Sequence, residues 1–123
     1  MSTNISIPSS AVGLCAGRHN IPVEKYIFNE VPDVMDFKVL NRIAEQFVLD
    51  NCNPHITWGT GGPATTGYAD VECWTADSLD VVVTGLTQCT TAVMWVCACY
   101  GVPLTLWHYN RDTGDYVPQK FYF

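Results

Sequence analysis

The chain has 123 residues, 48% of them apolar and only 15% charged, and its acidic side chains outnumber the basic ones by twelve to six for a net charge of -6. At this length one domain buries roughly two thirds of the surface its unfolded form exposes, so the composition excludes disorder and calls for no disulfide staples; with so few charges, further burial by oligomerisation also fits. There are only three arginines, Arg18, Arg42 and Arg111, and no basic stripe. That excludes a duplex nucleic-acid binder, and any anionic ligand is expected to be small and held by local donors.

In chain order, MSTNISIPSS is polar and has neither the basic nor the apolar region of a signal peptide. The longest apolar run, Ala92 to Tyr100, is too short to span a bilayer, so a soluble intracellular protein with no membrane partner is expected. Ala11 to Ala16 reads as a buried strand ending at Gly17-Arg18-His19-Asn20, and KYIFNEV from Lys25 as a second strand. Asp36 is placed as a helix N-cap, with Phe37, Leu40, Ile43, Ala44, Phe47 and Val48 recurring on one face and Arg42 on the solvated one. Residues 50–70 are rich in Gly, Pro, Thr and Asn without a sustained period. They are expected to form a functional loop or a disordered excursion, in which Trp58 either docks onto a ligand as part of a lid or folds back over the core.

Leu79 to Val83 is apolar without alternation, as in a strand covered on both faces. Gln88 to Tyr100 is an apolar helix almost all round, expected to be buried, with Gly101 and Pro103 as its stop signals. Leu104 to Tyr109 resumes a strand, NRDTG has hairpin-turn chemistry, and Asp115 to Phe123 returns as an aromatic-rich edge strand that pairs or packs against another subunit. The fold class is therefore α/β: a small single-layer mixed sheet in one domain, containing a βαβ unit, with two main helices and a C-terminal β-hairpin, and oligomeric. The six cysteines include no C-x-x-C pair and read as reduced, mostly as small core residues.

Ligands in an open α/β sheet sit beyond the carboxyl ends of the strands, where helix N-termini present unpaired N–H groups. Thr84-Gly85-Leu86-Thr87 falls there, with Gly85 permitting close backbone approach and the two threonines supplying hydroxyls. The plain alternative is a strand-to-helix turn capped by Thr87. His108, Tyr109, Arg111 and Asp112 leave the next strand at the same rim if the unit is parallel. There Arg111 suits a phosphate or a base and Asp112 a sugar hydroxyl or an amine; otherwise both are solvated turn residues. Arg18 and His19 reach that rim too if the first strand is parallel. His19 is then a general base, a ligand contact or a structural donor. No metal-ligand spacing, G-x-S-x-G elbow or P-loop occurs. Cys15 with His19, or His108 with Asp112, are the remaining catalytic pairings, and no spacing favours either over packing.

Three segments together, CAGRHNIPVEKYIF (15–28), VVVTGLT (81–87) and LTLWHYNRDTGDYVPQ (104–119), resemble small proteins encoded by bacteriophages and prophages. Their pattern is a Gly-Arg-His near the first strand, a Val-Thr-Gly-Leu-Thr junction and a His-Tyr-(Asp/Asn)-Arg-x-(Ser/Thr)-Gly-x-Tyr hairpin. Covering about a third of the chain, the likeness is to the first Thoeris anti-defence family. Its members hold cyclic ADP-ribose isomers made by host TIR-domain proteins without cleaving them. They also bind cyclic oligonucleotide signals, and they assemble from dimers with pockets at protomer interfaces. The resemblance thus implies a non-enzymatic sponge for a cyclic nucleotide signal in the host bacterial cytoplasm, with no cofactor and no metal. Arg18, Thr84, Gly85, Thr87, His108 and Arg111 match the motifs and would line its pocket. Where the family carries a small or polar residue in the long helix this chain has Trp95, and the loop around Trp58 lies outside the likeness. Two other readings stand beside it: a small phosphodiesterase using His108 or His19, and an oligomeric assembly protein that binds no ligand.

Overall fold

The computed structural model describes residues 7–17, 21–58, 69–72 and 77–123, with the backbone alone described over 55–58 and 69–72. Five strands form the main sheet: Val12–Cys15 (β1), Tyr26–Phe28 (β2), Leu79–Val82 (β5), Leu104–Asn110 (β6) and Asp115–Phe121 (β7). Their order is β2-β1-β5-β6-β7, parallel except for β7, which returns antiparallel to β6 at the edge. The helices are Phe37–Cys52 (α1), between β2 and β5, and Thr87–Tyr100 (α2), which makes β5-α2-β6 the expected βαβ unit.

Asp36 caps α1 through Oδ1, which accepts from the Val39 N–H at 3.4 Å, satisfying one of the orphan donors of the first turn. The buried stripe is Leu40, Ala44, Val48 and Cys52; Phe37, in the first turn, is 56% exposed, so the apolar face begins one turn later than its periodicity indicates. Asn53, in the left-handed region at φ 45°, closes the helix.

The segment read as irregular loop is structured at both ends. His55–Trp58 (β3) and Ala69–Glu72 (β4) pair antiparallel as a separate two-stranded sheet. His-Ile-Thr-Trp and Ala-Asp-Val-Glu each alternate polar and apolar residues, but for two periods only, and pairing across ten intervening residues is a long-range event that local composition does not carry. The expected docking of the Trp58 side chain lies outside the described residues.

Both faces of the sheet are covered. Val81 and Leu106 join the larger core with Leu40, Ala44 and Val48 of α1 and Ala92, Val93 and Val96 of α2. Their strand neighbours Val82 and Trp107 point the other way, into a smaller cluster with Ala11, Ile7, Ile21, Val23 and Tyr116. Topology accounts for this division. The helical crossovers β2-α1-β5 and β5-α2-β6 both travel towards β7, so right-handed connections put both helices on one face; β1 to β2 travels the other way and lays Ile21 and Val23 on the opposite face. Gly13, buried in β1, is required because a Cβ there would run into the ring of Tyr26 on β2. Asp80 is only half-buried and accepts the Trp107 indole N–H at 3.0 Å.

Gly101, at φ 65°, ends α2 in the left-handed conformation, and the Val102 N–H returns to the Cys97 carbonyl at 2.9 Å. The expectation that α2 is buried all round does not hold. Cys89, Ala92, Val93, Val96, Cys97 and Tyr100 are buried, but Thr91, Trp95, Ala98 and Cys99 face outward, Trp95 being 54% exposed. Among the described residues α2 packs against α1, β1 and β4, and these leave Trp95 exposed. Cys15, Cys52, Cys89 and Cys97 are buried, as expected of small core residues.

The NRDTG turn is stabilised by the Gly114 N–H, which donates to the Asn110 carbonyl at 2.8 Å, and by the Asp112 N–H, which donates to Asn110 Oδ1 at 3.0 Å. Pro118 lies on the outer edge of the sheet. Its partner Trp107 gives its carbonyl to the Val83 N–H on the β5 side, so the backbone of Pro118 points to solvent, where its missing N–H interrupts strand addition.

Candidate functional site

Winding reverses between β1, whose connection leads to β2, and β5, whose connection leads to β6. At such a point the outgoing chains diverge and leave a crevice at the carboxyl edge. Thr84 sits in it, 3% exposed, its Oγ1 accepting the Cys15 N–H at 3.3 Å and so tying β1 to β5 beyond the last paired residues. The hydroxyl proton remains available to donate. Gly85 follows at φ 96°, a conformation that L side chains rarely adopt, with open space where a Cβ would stand.

The helix cap differs from the sequence reading. Leu86 is the N-cap of α2 and no side chain caps it; Thr87 is the first helical residue and is exposed. The Thr90 hydroxyl donates to the Leu86 carbonyl at 3.2 Å.

The crevice opens into a cavity of about 690 Å³ lined by Ile21, Val83, Thr84, Gly85, His108, Tyr109, Arg111 and Tyr116. Tyr109 and Tyr116 pair across the hairpin edge to face, with ring centroids 5.3 Å apart at 61°. His108 Nε2 lies 2.8 Å from Gln119 Oε1 on β7, a contact that orients the imidazole from outside the lining. Arg111 is exposed at the mouth. Three smaller cavities among the described residues, of about 560, 490 and 380 Å³, have no arginine in their linings.

Of the residues singled out in the sequence, Thr84, Gly85, His108 and Arg111 come together around this cavity. Thr87 and Asp112 stand off its lining; Asp112 is an exposed turn residue whose backbone N–H is held by Asn110. Arg18 and His19 lie outside the described residues, although β1 is parallel to β5 and Gly17, at φ 76°, leaves it at this same edge. Ile21, Val83 and Tyr116 were not found from sequence. Tyr116 had a signal, since pairing outward from the NRDTG turn puts it opposite Tyr109; Ile21 had none, because its place follows from the β1–β2 crossover.

Chemically, the cavity's lining offers a guanidinium, an imidazole, two aromatic rings and an apolar wall. Its described lining holds no carboxylate and no thiol. Cysteine reactivity is suppressed elsewhere too: burial pushes the Cys52 thiol up to about 11, with the nearby Asp77 charge adding to it, and burial pushes Cys97 up to about 12. Among the described residues no group of three His, Cys, Asp or Glu is placed to hold a metal ion, and no helix is long and apolar enough to cross a membrane. Comparison with protein-family profiles, with curated proteins and with solved structures finds no match for this chain.

Proposed function

We propose that this protein binds a cyclic nucleotide signal, of the cyclic ADP-ribose or cyclic oligonucleotide kind, and sequesters it without turning it over, blocking bacterial anti-phage signalling from within the host cytoplasm. The observation that carries the reading is the cavity at the switch point, whose lining joins the Arg111 guanidinium, suited to an anion, to the Tyr109–Tyr116 pair, suited to a planar ring. Its volume of about 690 Å³ lies within the range of small-molecule sites. The resemblance of the Thr84-Gly85 junction and of the hairpin to phage anti-defence sponges points to the same class of ligand. One described guanidinium is a small supply for a pyrophosphate, and in this reading a homo-oligomer brings a second rim to each ligand.

The test is recovery of the ligand. Protein is incubated with a cyclic ADP-ribose isomer and heat-denatured, and the released molecule is analysed by mass spectrometry. Intact ligand, retained during desalting before heating and released by it, is expected. A hydrolysed product would replace the sponge with a His108-based hydrolase, and the lack of any thermal shift with a panel of cyclic nucleotides would leave an assembly protein.

A further inference from the structure

Strand β2 is an open edge of the main sheet: β1 pairs with one side of it, and no described strand pairs with the other. Across the parallel pair of Gly13 with Tyr26, the Gly13 N–H donates to the Lys25 carbonyl at 2.9 Å. In a parallel ladder this turns the peptide groups flanking Tyr26 towards β1 and leaves the N–H and C=O of Tyr26 itself facing outward. The Tyr26 ring lies back over Gly13 of β1, which keeps that edge clear. The Tyr-Ile-Phe sequence of β2 carries neither a proline nor a charge to deter pairing, whereas β7 at the opposite edge carries Pro118 and Lys120.

Beside this edge runs a cavity of about 560 Å³ between β2 and α1, with Ile27 of the strand and Ile43 and Phe47 of the helix as its apolar wall. It shares Glu24, Lys25, Phe47 and Asn51 with a second cavity of about 490 Å³, so the two form one trough that passes the carboxyl end of α1 and reaches the amino edge of the sheet. Glu24, Asp50, Asp77 and Asp80 line this trough against a single cation, Lys25, whose Nζ is 3.0 Å from Asn51 Oδ1. Half of the chain's net charge of -6 is therefore gathered along it.

We propose that the trough docks an extended basic peptide segment of another protein, which adds as a further strand along the outer side of β2, lays apolar side chains against Ile43 and Phe47, and sets lysines or arginines among the carboxylates. Main-chain hydrogen bonds to Tyr26 supply affinity that is blind to sequence, and the charge of the trough selects the partner. An acidic segment is repelled, and a further copy of this chain brings the same excess of carboxylates. The trough shares no lining residue with the Arg111 cavity at the carboxyl edge, so the inference is independent of nucleotide binding.

The test uses the full chain and synthetic probes, without nucleotide. A fluorescent peptide of about eight residues, alternating lysine and valine, should gain anisotropy on binding, and its glutamate–valine counterpart should bind about 10-fold or more weakly. Backbone N-methylation, which keeps the charge and removes the N–H donors, should weaken the basic peptide by about as much, and only the unmethylated peptide should protect the Tyr26 amide from hydrogen exchange. Glu24→Lys combined with Asp50→Lys should turn the preference towards the acidic peptide with the thermal melt near that of the parent, since both side chains are exposed. No binding of the basic peptide, equal binding of spermine or of the N-methylated peptide, an unprotected Tyr26 amide, or an unchanged preference in the double variant would each overturn the proposal.

Discussion

Arg111 is the residue on which the proposed ligand contact turns. Hairpin geometry brings it to the mouth of the cavity: Asn110 pairs with Asp115, and the four-residue turn between them projects the guanidinium past the strand end. Exposed as it is, it contributes no core packing. Arg111→Ala is therefore expected to weaken nucleotide binding by about 2 kcal/mol, roughly 30-fold in Kd, with the melting temperature unchanged. Titration calorimetry against a cyclic ADP-ribose isomer measures the first and a thermal melt the second; unaltered affinity would return the hairpin to plain structure. Asp112, its neighbour in sequence, was grouped with it for lack of any means to tell which way each turn residue faces. The Asn110 side chain, by holding the Asp112 N–H, sets that direction.

At the scale of elements, the junction between β1, β5 and α2 is held by a side chain. Past the last β1–β5 pair, Gly13 with Val82, the backbone ladder gives way to a side chain, and Thr84 Oγ1 takes the Cys15 N–H. Thr84→Val keeps the shape and removes the acceptor of this hydrogen bond, so a loss of about 1 kcal/mol is expected in urea unfolding. A variant as stable as the parent would mean that water satisfies Cys15 instead. The same loss would loosen the crevice, and the proposed ligand would then bind more weakly through position rather than contact. Sequence reasoning found this junction because the strand formers stop at Thr84-Gly85 and the helix formers begin just beyond. The plain alternative there, a turn capped by Thr87, does not form, although a threonine at a helix start is a common acceptor. Leu86 occupies that place because the Gly85 turn brings the chain into the helix one residue earlier. The β3–β4 pair escapes sequence reading for a different reason: each strand spans only two periods of alternation, and its partner lies across ten residues of Gly-, Pro- and Thr-rich chain.

For the whole molecule, the core explains how stability depends on pH. Cys52 and Cys97 are thiols raised by burial to about 11 and about 12 from an ordinary value of 9.0. Tyr100 is raised to about 12 by burial and by the Glu45 carboxylate. A group whose folded value lies above its unfolded one gives its full stabilisation below the unfolded value and loses it as pH climbs towards the folded one. Melting temperature should accordingly hold level up to about pH 9 and fall between pH 9 and 12, and a profile level through that window would contradict the placement of these side chains. What the sequence by itself determined is what short-range chemistry decides: strand or helix from apolar spacing, the Asp36 cap, the Gly101 stop, the NRDTG turn, and hence an α/β chain with a βαβ unit and a hairpin edge. Only the tertiary structure decided what depends on residues far apart in the chain. The direction reversal between β1 and β5 makes a crevice, Ile21 and Tyr116 meet across it, and Trp95 is left outside on a helix whose composition suits an interior. The physical reason is that periodicity reports whether a side chain seeks cover, whereas which surface provides that cover is set by the order in which the strands assemble.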